Sequence, residues 1–162
     1  MIAALSGAQI CATIVPVPPD SLSRFVDAQK GTFVRAVAEL AAGRKQGHWM
    51  WFVFPQLRGL GRSAAALQYG IGSLAEAGQY LDHPILGQRY DDCCVALSAW
   101  KDQRGAVTIF GEIDAIKLRS SLTLFEAAAA GTSRAALYGE LLDAFFGGAR
   151  DPLTKALLEH ER

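Results

Sequence analysis

Excess charge of one sign is what this sequence lacks most clearly. Its 162 residues carry sixteen Lys and Arg against sixteen Asp and Glu, so no overall field attracts nucleic acid or an anionic membrane surface. Charged residues make up 20% of the chain and prolines number six, which excludes a disordered or low-complexity chain. With 51% hydrophobic residues, the chain can bury one core of ordinary size, and two independent domains are not expected.

Cysteine is also scarce. Cys11 and the adjacent pair Cys93 and Cys94 are too few and too poorly spaced for a disulfide framework or a zinc site. No spacing of His, Asp and Glu encodes another metal site, so we expect no metal and no cofactor. A reduced, cytoplasmic location fits this cysteine content best.

Long apolar runs are absent after the N-terminus. No later stretch approaches the ~18 consecutive apolar residues that a membrane span needs, so no membrane partner is expected. Residues Met1 to Val15 are apolar, but they contain no Lys or Arg to form the positive region of a signal peptide. Three prolines between residues 16 and 19 then stop regular structure. We therefore predict a poorly ordered extension over residues 1–19 and a single helical domain over residues 20–162.

Helix-forming residues dominate the rest of the chain. Ala and Leu far outnumber Val and Ile, and apolar residues recur three or four apart between Gly and Pro breaks. This pattern predicts an all-α fold, a compact orthogonal bundle of several helices. Start and stop signals place helices at Leu22 to Gly43, Ser73 to Leu81, Pro84 to about Trp100, Asp114 to Gly131, Ser133 to Gly147, and from Asp151 onward. His83 is expected in a turn or a helix cap.

The segment from Gly43 to Ser63 concentrates costly residue types. Its apolar run, Trp49 to Phe54, is either the centre of the core or an aromatic wall framed by polar groups, which is how small-molecule pockets are commonly built. We expect Trp51 to be deeply buried within this run. The segment contains two of the three tryptophans. It carries four cations, Arg44, Lys45, Arg58 and Arg62, but no Asp or Glu that could neutralise them.

A series of motifs, in order along the chain, carries a resemblance to a known family. They are LSRFVDAQ at residues 22–29, GRKxxHWMWFxFPQ at residues 43–56, GLG with a following Ser at residues 59–63, HPxLG at residues 83–87 and KLRSSLTLF at residues 117–125. Over Leu22 to Glu159 the chain resembles the bacterial and fungal proteins grouped as domain of unknown function 1810. The resemblance implies a compact, mostly helical domain and no established reaction or ligand. Gly47 departs from the pattern, since relatives usually carry Ser there.

Polar residues of these motifs are the candidates for a binding site. Lys117 and Ser121 lie four apart on one face of a predicted helix. We place them beside the basic residues Arg44 and Lys45, which together form a cationic pocket suited to phosphate or carboxylate. Each could instead serve packing or a solvated face. The predicted ligand-binding residues are Arg44, Lys45, Trp49, Trp51, Gln56, Lys117 and Ser121.

His48 is the candidate catalytic residue. It precedes the aromatic run, and its imidazole has an ordinary pKa of ~6.5, which suits a general acid or base at neutral pH. The other interpretation of His48 is a hydrogen-bonded residue of the core.

Charge balance gives a sharper hypothesis. A cation beside an aromatic core is costly unless a carboxylate or a ligand anion neutralises it. If distant carboxylates pair with Arg44 and Lys45, these cations are structural. The candidate carboxylates are Glu39, Asp114 and Glu126. Otherwise the cations should hold an anion. In either case we predict that Arg44, Lys45, His48 and Lys117 meet around one cavity.

Two functions remain open from the sequence. The first is a cytoplasmic domain that binds an anionic small molecule, such as a nucleotide or a phosphorylated metabolite, with an aromatic wall from Trp49 and Trp51. Whether it also catalyses a reaction stays open. The alternative is a non-catalytic structural or protein-interaction module whose motif residues serve folding. A deep cavity lined by the candidate residues favours the first, and a filled core with paired cations favours the second.

Overall fold

Helices account for the regular structure of this protein. The computed structural model describes residues 19–161, and within that range α-helices are present and β-strands are not, which confirms the predicted all-α fold. None of these helices is long and apolar enough to cross a bilayer. The helices are α1 (Ser23–Gln29), α2 (Phe33–Ala41), α3 (Met50–Val53), α4 (Ala64–Gln68), α5 (Leu74–Asp82), α6 (Leu86–Ser98), α7 (Ala106–Phe110), α8 (Glu112–Ala128), α9 (Ser133–Phe146) and α10 (Pro152–His160).

The predicted N-terminal extension, residues 1–19, lies outside the described residues except for Pro19. That residue begins a single 3-10 turn, Pro19–Leu22, which leads into α1. The expectation that the extension is poorly ordered therefore stays a prediction.

Capping residues fix the ends of several helices as the sequence predicts. The Ser73 hydroxyl accepts a hydrogen bond from the Glu76 N–H at 3.1 Å and starts α5. The Asp151 carboxylate accepts one from the Thr154 N–H at 3.0 Å and starts α10. The His83 imidazole accepts from the backbone N–H groups that begin α6. The predicted starts of α5 and α10 and the cap role of His83 are confirmed.

Other predicted boundaries are wrong. The helix predicted from Leu22 to Gly43 is two helices, α1 and α2, because Gly31 adopts a φ of 72° between them. Asp114 does not cap α8; Gly111 precedes this helix, and Asp114 lies in its first turn. Helix α7 is not predicted by the sequence, because a helix of five residues is too short to show a periodic pattern.

Aromatic rings meet at the centre of the core. The ring centroid of Tyr90 lies 4.4 Å from that of Phe125 and 5.2 Å from that of Tyr138. Both cysteines of α6 are buried beside these rings, and burial raises the pKa of Cys93 to about 12. The apolar stripe of α8 and its C-cap lies in the same core, since its members are all buried: Leu118, Leu122, Phe125 and Ala129.

The chain between α3 and α5 forms an irregular loop that reaches the surface beside α8. An isolated parallel bridge holds its two ends together: the Arg58 N–H donates to the Ile71 carbonyl at 2.8 Å, and the Ile71 N–H donates to the Gln56 carbonyl at 2.9 Å. Between these ends, Ser63 caps α4 by accepting from the Ala66 N–H at 3.1 Å. The bridge therefore fixes the loop that carries Gln56 and the following residues.

Candidate ligand-binding site

The carboxylate of Glu39 organises one end of the tryptophan-rich motif. It accepts hydrogen bonds from the N–H groups of Gln46 at 2.8 Å and Gly47 at 2.9 Å, and from the indole of Trp49 at 2.9 Å. Arg35 adds an ion pair at 3.0 Å. Burial alone would raise the pKa of Glu39, but these donors outweigh it and lower the pKa to about 2. Trp49 is fully buried here, so its ring serves the core rather than a ligand wall.

Trp51 faces another direction. It is half-buried rather than deeply buried, so that prediction is wrong. The reason is local geometry: Trp49 precedes α3 with non-helical dihedral angles, whereas Trp51 lies within α3, and their side chains leave the backbone in different directions. The Lys117 ammonium lies 4.1 Å from the centroid of the Trp51 ring, within the range of a cation–π contact.

Two lysines share one carboxylate beside these tryptophans. Lys45 Nζ lies 2.7 Å from Asp114 Oδ2 and 2.5 Å from the Gly47 carbonyl oxygen, and its side chain is only 6% exposed. Lys117 Nζ lies 3.3 Å from Asp114 Oδ1, with 19% of its side chain exposed. One negative charge therefore serves two positive ones, and Lys117 is the more accessible of the two cations.

A cavity of about 410 Å³ opens next to Lys117. We call it the Trp51 cavity, and its size is typical of small-molecule sites. Its walls come from α3, the loop that follows it, α8 and the start of α10. The residues that line it are Trp51, Gln56, Leu60, Gly61, Arg62, Ser63, Ala66, Ile113, Ile116, Lys117, Ser120, Asp151 and Leu153.

The charges that line the Trp51 cavity do not cancel. Asp151 is already neutralised: Arg119 lies 3.4 Å away, and the Ser120 hydroxyl donates to it at 3.2 Å. Lys117 shares Asp114 with Lys45. The exposed guanidinium of Arg62 makes no ion pair or hydrogen bond within residues 19–161. The cavity thus carries net positive charge at Arg62 and Lys117.

Arg44 and His48 lie elsewhere. Gly43 turns the chain with a φ of 67°, and Arg44 then lines a separate cleft of about 490 Å³ with Arg35, Glu39 and Arg104. His48 is exposed and is not among the residues that line the Trp51 cavity. The prediction that Arg44, Lys45, His48 and Lys117 meet around one cavity is therefore wrong. Only Lys45 and Lys117 come together, at Asp114.

Ser121 also lies outside the Trp51 cavity. Four residues advance a helix by about 400°, so Ser121 is rotated about 40° from Lys117, and on α8 that rotation points it into the core. It is fully buried, with its hydroxyl 2.9 Å from that of Tyr90. Ser120, on the other side of Lys117, lines the cavity instead.

The other predicted carboxylate partners have different roles. Glu126 pairs with Arg150 at 2.6 Å, and Glu39 binds the backbone and Trp49 as described above. Among the three candidate carboxylates, only Asp114 pairs with either Arg44 or Lys45, and its partner is Lys45. No group of three or more His, Cys, Asp or Glu side chains between residues 19 and 161 is arranged to hold a metal ion.

Comparison with known proteins places the chain in a family. Residues 19–158 match the family described as Protein of unknown function (DUF1810). The chain belongs to this family. Its fold also matches the crystal structure of the conserved hypothetical protein Rv1873 from Mycobacterium tuberculosis, at 48% identity and a TM-score of 0.82, over 87% of this chain and 98% of that one. No curated protein is significantly similar to the chain.

Sequence reasoning missed several residues of this family member's cavity. Arg62 stands in a Gly-rich stretch and counts among the cations of its segment, but the sequence does not mark it as a ligand-binding residue. Ile113 and Ile116 line the cavity from α8, three residues apart and off the buried stripe. The buried face of α8 does not need these two apolar residues. Their presence on another face of the helix is the sequence signal that could have identified the site.

Proposed function

We propose that the Trp51 cavity binds an anionic small molecule through Arg62 and Lys117. The observation that carries this proposal is the surplus of positive charge on a cavity of about 410 Å³, because Arg62 lacks a partner among the described residues and Lys117 shares its carboxylate. Charge-assisted hydrogen bonds from a guanidinium and an ammonium are the usual means of holding phosphate or carboxylate. Phosphorylated metabolites, with nucleotides among them, are the broad class we propose.

Each cavity residue has a separate role in this proposal. Arg62 and Lys117 bind the anionic group, and the Gln56 amide supplies a neutral donor and acceptor. Trp51 forms the aromatic part of the wall. Lys45 holds Asp114, which in turn positions Lys117. His48 lies outside the cavity wall, so we assign binding and no catalytic step.

The test is calorimetric titration with inorganic phosphate, AMP, ADP and phenyl phosphate as probes. We expect at least one organic probe to bind, and at 100 times its Kd it should add ~2.7 kcal/mol of stability. Arg62→Ala should weaken binding about tenfold or more, since it removes a hydrogen bond to a charged group. Arg44→Ala is the matched control, because Arg44 is exposed in a different cleft. Equal effects of the two variants would contradict the proposal.

The second candidate is a structural or protein-interaction module. It is favoured by the part that motif residues play in folding: Lys45 is buried against Asp114, Trp49 against Glu39, and Ser121 against Tyr90. It predicts that no probe binds and that Arg62→Ala changes nothing. The cytoplasmic location stays a prediction under either function.

A further inference from the structure

Exposed apolar side chains are concentrated on one part of the surface. Where burial is described, eight large hydrophobic side chains are exposed, and half of them lie on α7, α8 and α10. Exposed apolar side chains that cluster in this way usually mark a binding surface, whereas scattered ones do not. The four residues and their exposed fractions are Val107 at 56%, Ile113 at 72%, Ile116 at 63% and Leu153 at 65%.

These four residues connect the Trp51 cavity to a second one. A neighbouring cavity of about 550 Å³, which we call the Phe146 cavity, has apolar walls from Val107, Ala115, Phe146 and Pro152. Glu112 and Arg119 are charged residues on its lining. Three residues line both cavities: Ile116, Leu153 and Asp151. The two cavities are therefore adjacent, with exposed Ile116 and Leu153 side chains at their shared boundary.

The shared boundary presents little free charge. Asp151 is 4% exposed, and its carboxylate accepts hydrogen bonds from Ser120 at 3.2 Å and from the Thr154 hydroxyl at 2.6 Å. Arg119 completes its ion pairing. An apolar group that crosses this boundary would meet aliphatic side chains above a satisfied carboxylate, so its burial leaves Asp151 paired.

The walls favour an aliphatic group over an aromatic one. The only aromatic side chain among the residues that line the Trp51 cavity is Trp51, and the Lys117 ammonium lies over its ring. The remaining apolar walls are Leu60, Ala66, Ile113, Ile116 and Leu153. A flexible chain can follow such a surface, whereas a flat base needs an open ring face to stack on.

From this arrangement we propose that the ligand is an amphiphile, an anionic headgroup with an unbranched aliphatic chain. The headgroup binds Arg62 and Lys117 in the Trp51 cavity, and the chain crosses Ile116 and Leu153 into the Phe146 cavity. This inference rests on the proposed function and narrows its ligand class. The surplus of positive charge at one end and the mainly aliphatic surface that continues from it are the two features that an amphiphile matches.

The experiment measures the affinity of the full chain for ethyl, butyl, hexyl and octyl phosphate, each below its micellar concentration. Each methylene that leaves water contributes about 0.8 kcal/mol, or roughly fourfold in Kd. We expect Kd to fall steadily with chain length and octyl phosphate to bind at least tenfold tighter than butyl phosphate. Arg62→Ala should weaken every member of the series by the same factor.

An added charge in the Phe146 cavity distinguishes binding of the ligand's alkyl chain from binding of its phosphate headgroup. Val107→Asp should weaken octyl phosphate about tenfold or more and leave ethyl phosphate unchanged. The position tolerates Asp, because it lies in the first turn of α7, where a negative charge is favourable. Val95→Asp is the matched control, since Val95 is similarly exposed at 59% on α6, away from both cavities.

Four outcomes would overturn the inference. If ethyl phosphate or AMP binds through Arg62 but chain length has no effect, the proposed function stands and the amphiphile is wrong. If octyl phosphate binds equally to the Val107→Asp and Val95→Asp proteins, its chain lies elsewhere. If the wild-type chain dimerises in sedimentation experiments and Val107→Asp alone prevents this, a second copy occupies the apolar surface. Failure of every phosphate probe would reject the proposed function as well.

Discussion

Trp49 and Trp51 lie two residues apart in one motif, yet they belong to different regions of the molecule. Around Trp49, Glu39 satisfies the indole, two backbone N–H groups and Arg35. Around Trp51, the cations outnumber the carboxylates available to them, and the ring borders a cavity. The comparison teaches that costly residues in a motif are structural where the fold supplies their partners, and candidates for binding where it does not.

The lysines repeat this contrast. Lys45 and Lys117 contact the same carboxylate, but Lys45 also reaches a backbone carbonyl and is almost fully covered. Lys117 is farther from Asp114 and more exposed. The first therefore belongs to the folding region around Trp49, and the second to the cavity region around Trp51.

The largest expected effect is on stability when the tryptophans are removed singly. Trp49→Ala should cost about 3–5 kcal/mol of unfolding free energy, because it leaves a cavity in the core and removes a donor to Glu39. Trp51→Ala should cost less than half as much, since its ring is half-buried. Urea unfolding of both variants measures the difference. Equal losses would erase the distinction between the two regions.

Low pH should lower the stability of the fold by protonating Glu39, the carboxylate that binds Trp49. The pKa of Glu39 is about 2 in the folded chain against an ordinary value of 4.5. A lowered pKa stabilises the fold above the unfolded pKa, and that stability is lost as pH falls from about 4.5 towards 2. The contribution is on the order of 3 kcal/mol.

The matched variant is Glu39→Gln, which should be less stable at pH 7 and should lose less stability between pH ~5 and ~2.5 than the wild-type chain. Denaturant titrations at several pH values measure both. An unchanged acid slope in this variant would mean that Glu39 is not the group that carries it.

Replacing the lysines should have a smaller, asymmetric effect. Lys45→Met should lower the unfolding free energy by on the order of 2 kcal/mol, because it removes buried hydrogen bonds to Asp114 and to the Gly47 carbonyl. Lys117→Met should cost about 1 kcal/mol or less, since its single ion pair is longer and more exposed. Thermal or urea unfolding measures both losses, and the loss of unfolding free energy should be larger for Lys45→Met than for Lys117→Met.

The smallest stability effect is expected at Arg62. Because its exposed side chain contacts no partner among the described residues, Arg62→Ala should change the unfolding free energy by no more than about 0.5 kcal/mol. A loss above about 1 kcal/mol would show that this guanidinium serves the fold.

Local signals in the sequence predicted the helices well where capping chemistry is explicit. Ser73, Asp151 and the glycines after α9 each act within a few residues, so pattern alone finds them. The break at Gly31 was missed because the apolar spacing of α1 continues into α2, and periodicity does not register a change of axis. The fold class follows from composition and spacing, and the helix axes do not.

The site could be predicted only in part, because its charge balance depends on distant partners. Trp51, Gln56 and Lys117 were identified from motifs and do line one cavity. The separation of Arg44 from Lys45 was not predictable, since it depends on the turn at Gly43 and on where Asp114 lies in the fold. Which carboxylate meets which cation is a property of tertiary structure.

The most direct test of the division between the two regions is an NMR titration that follows the indole N–H resonances of Trp49, Trp51 and Trp100. The phosphate probes of the calorimetric panel are added, and Trp51→Phe assigns the decisive signal. Trp49 donates to Glu39 and Trp100 donates to the Leu40 carbonyl at 3.0 Å beside the Arg44 cleft. The account predicts that the Trp51 resonance moves on binding while the other two stay fixed. Movement of Trp49 or Trp100 with Trp51 unchanged would contradict it.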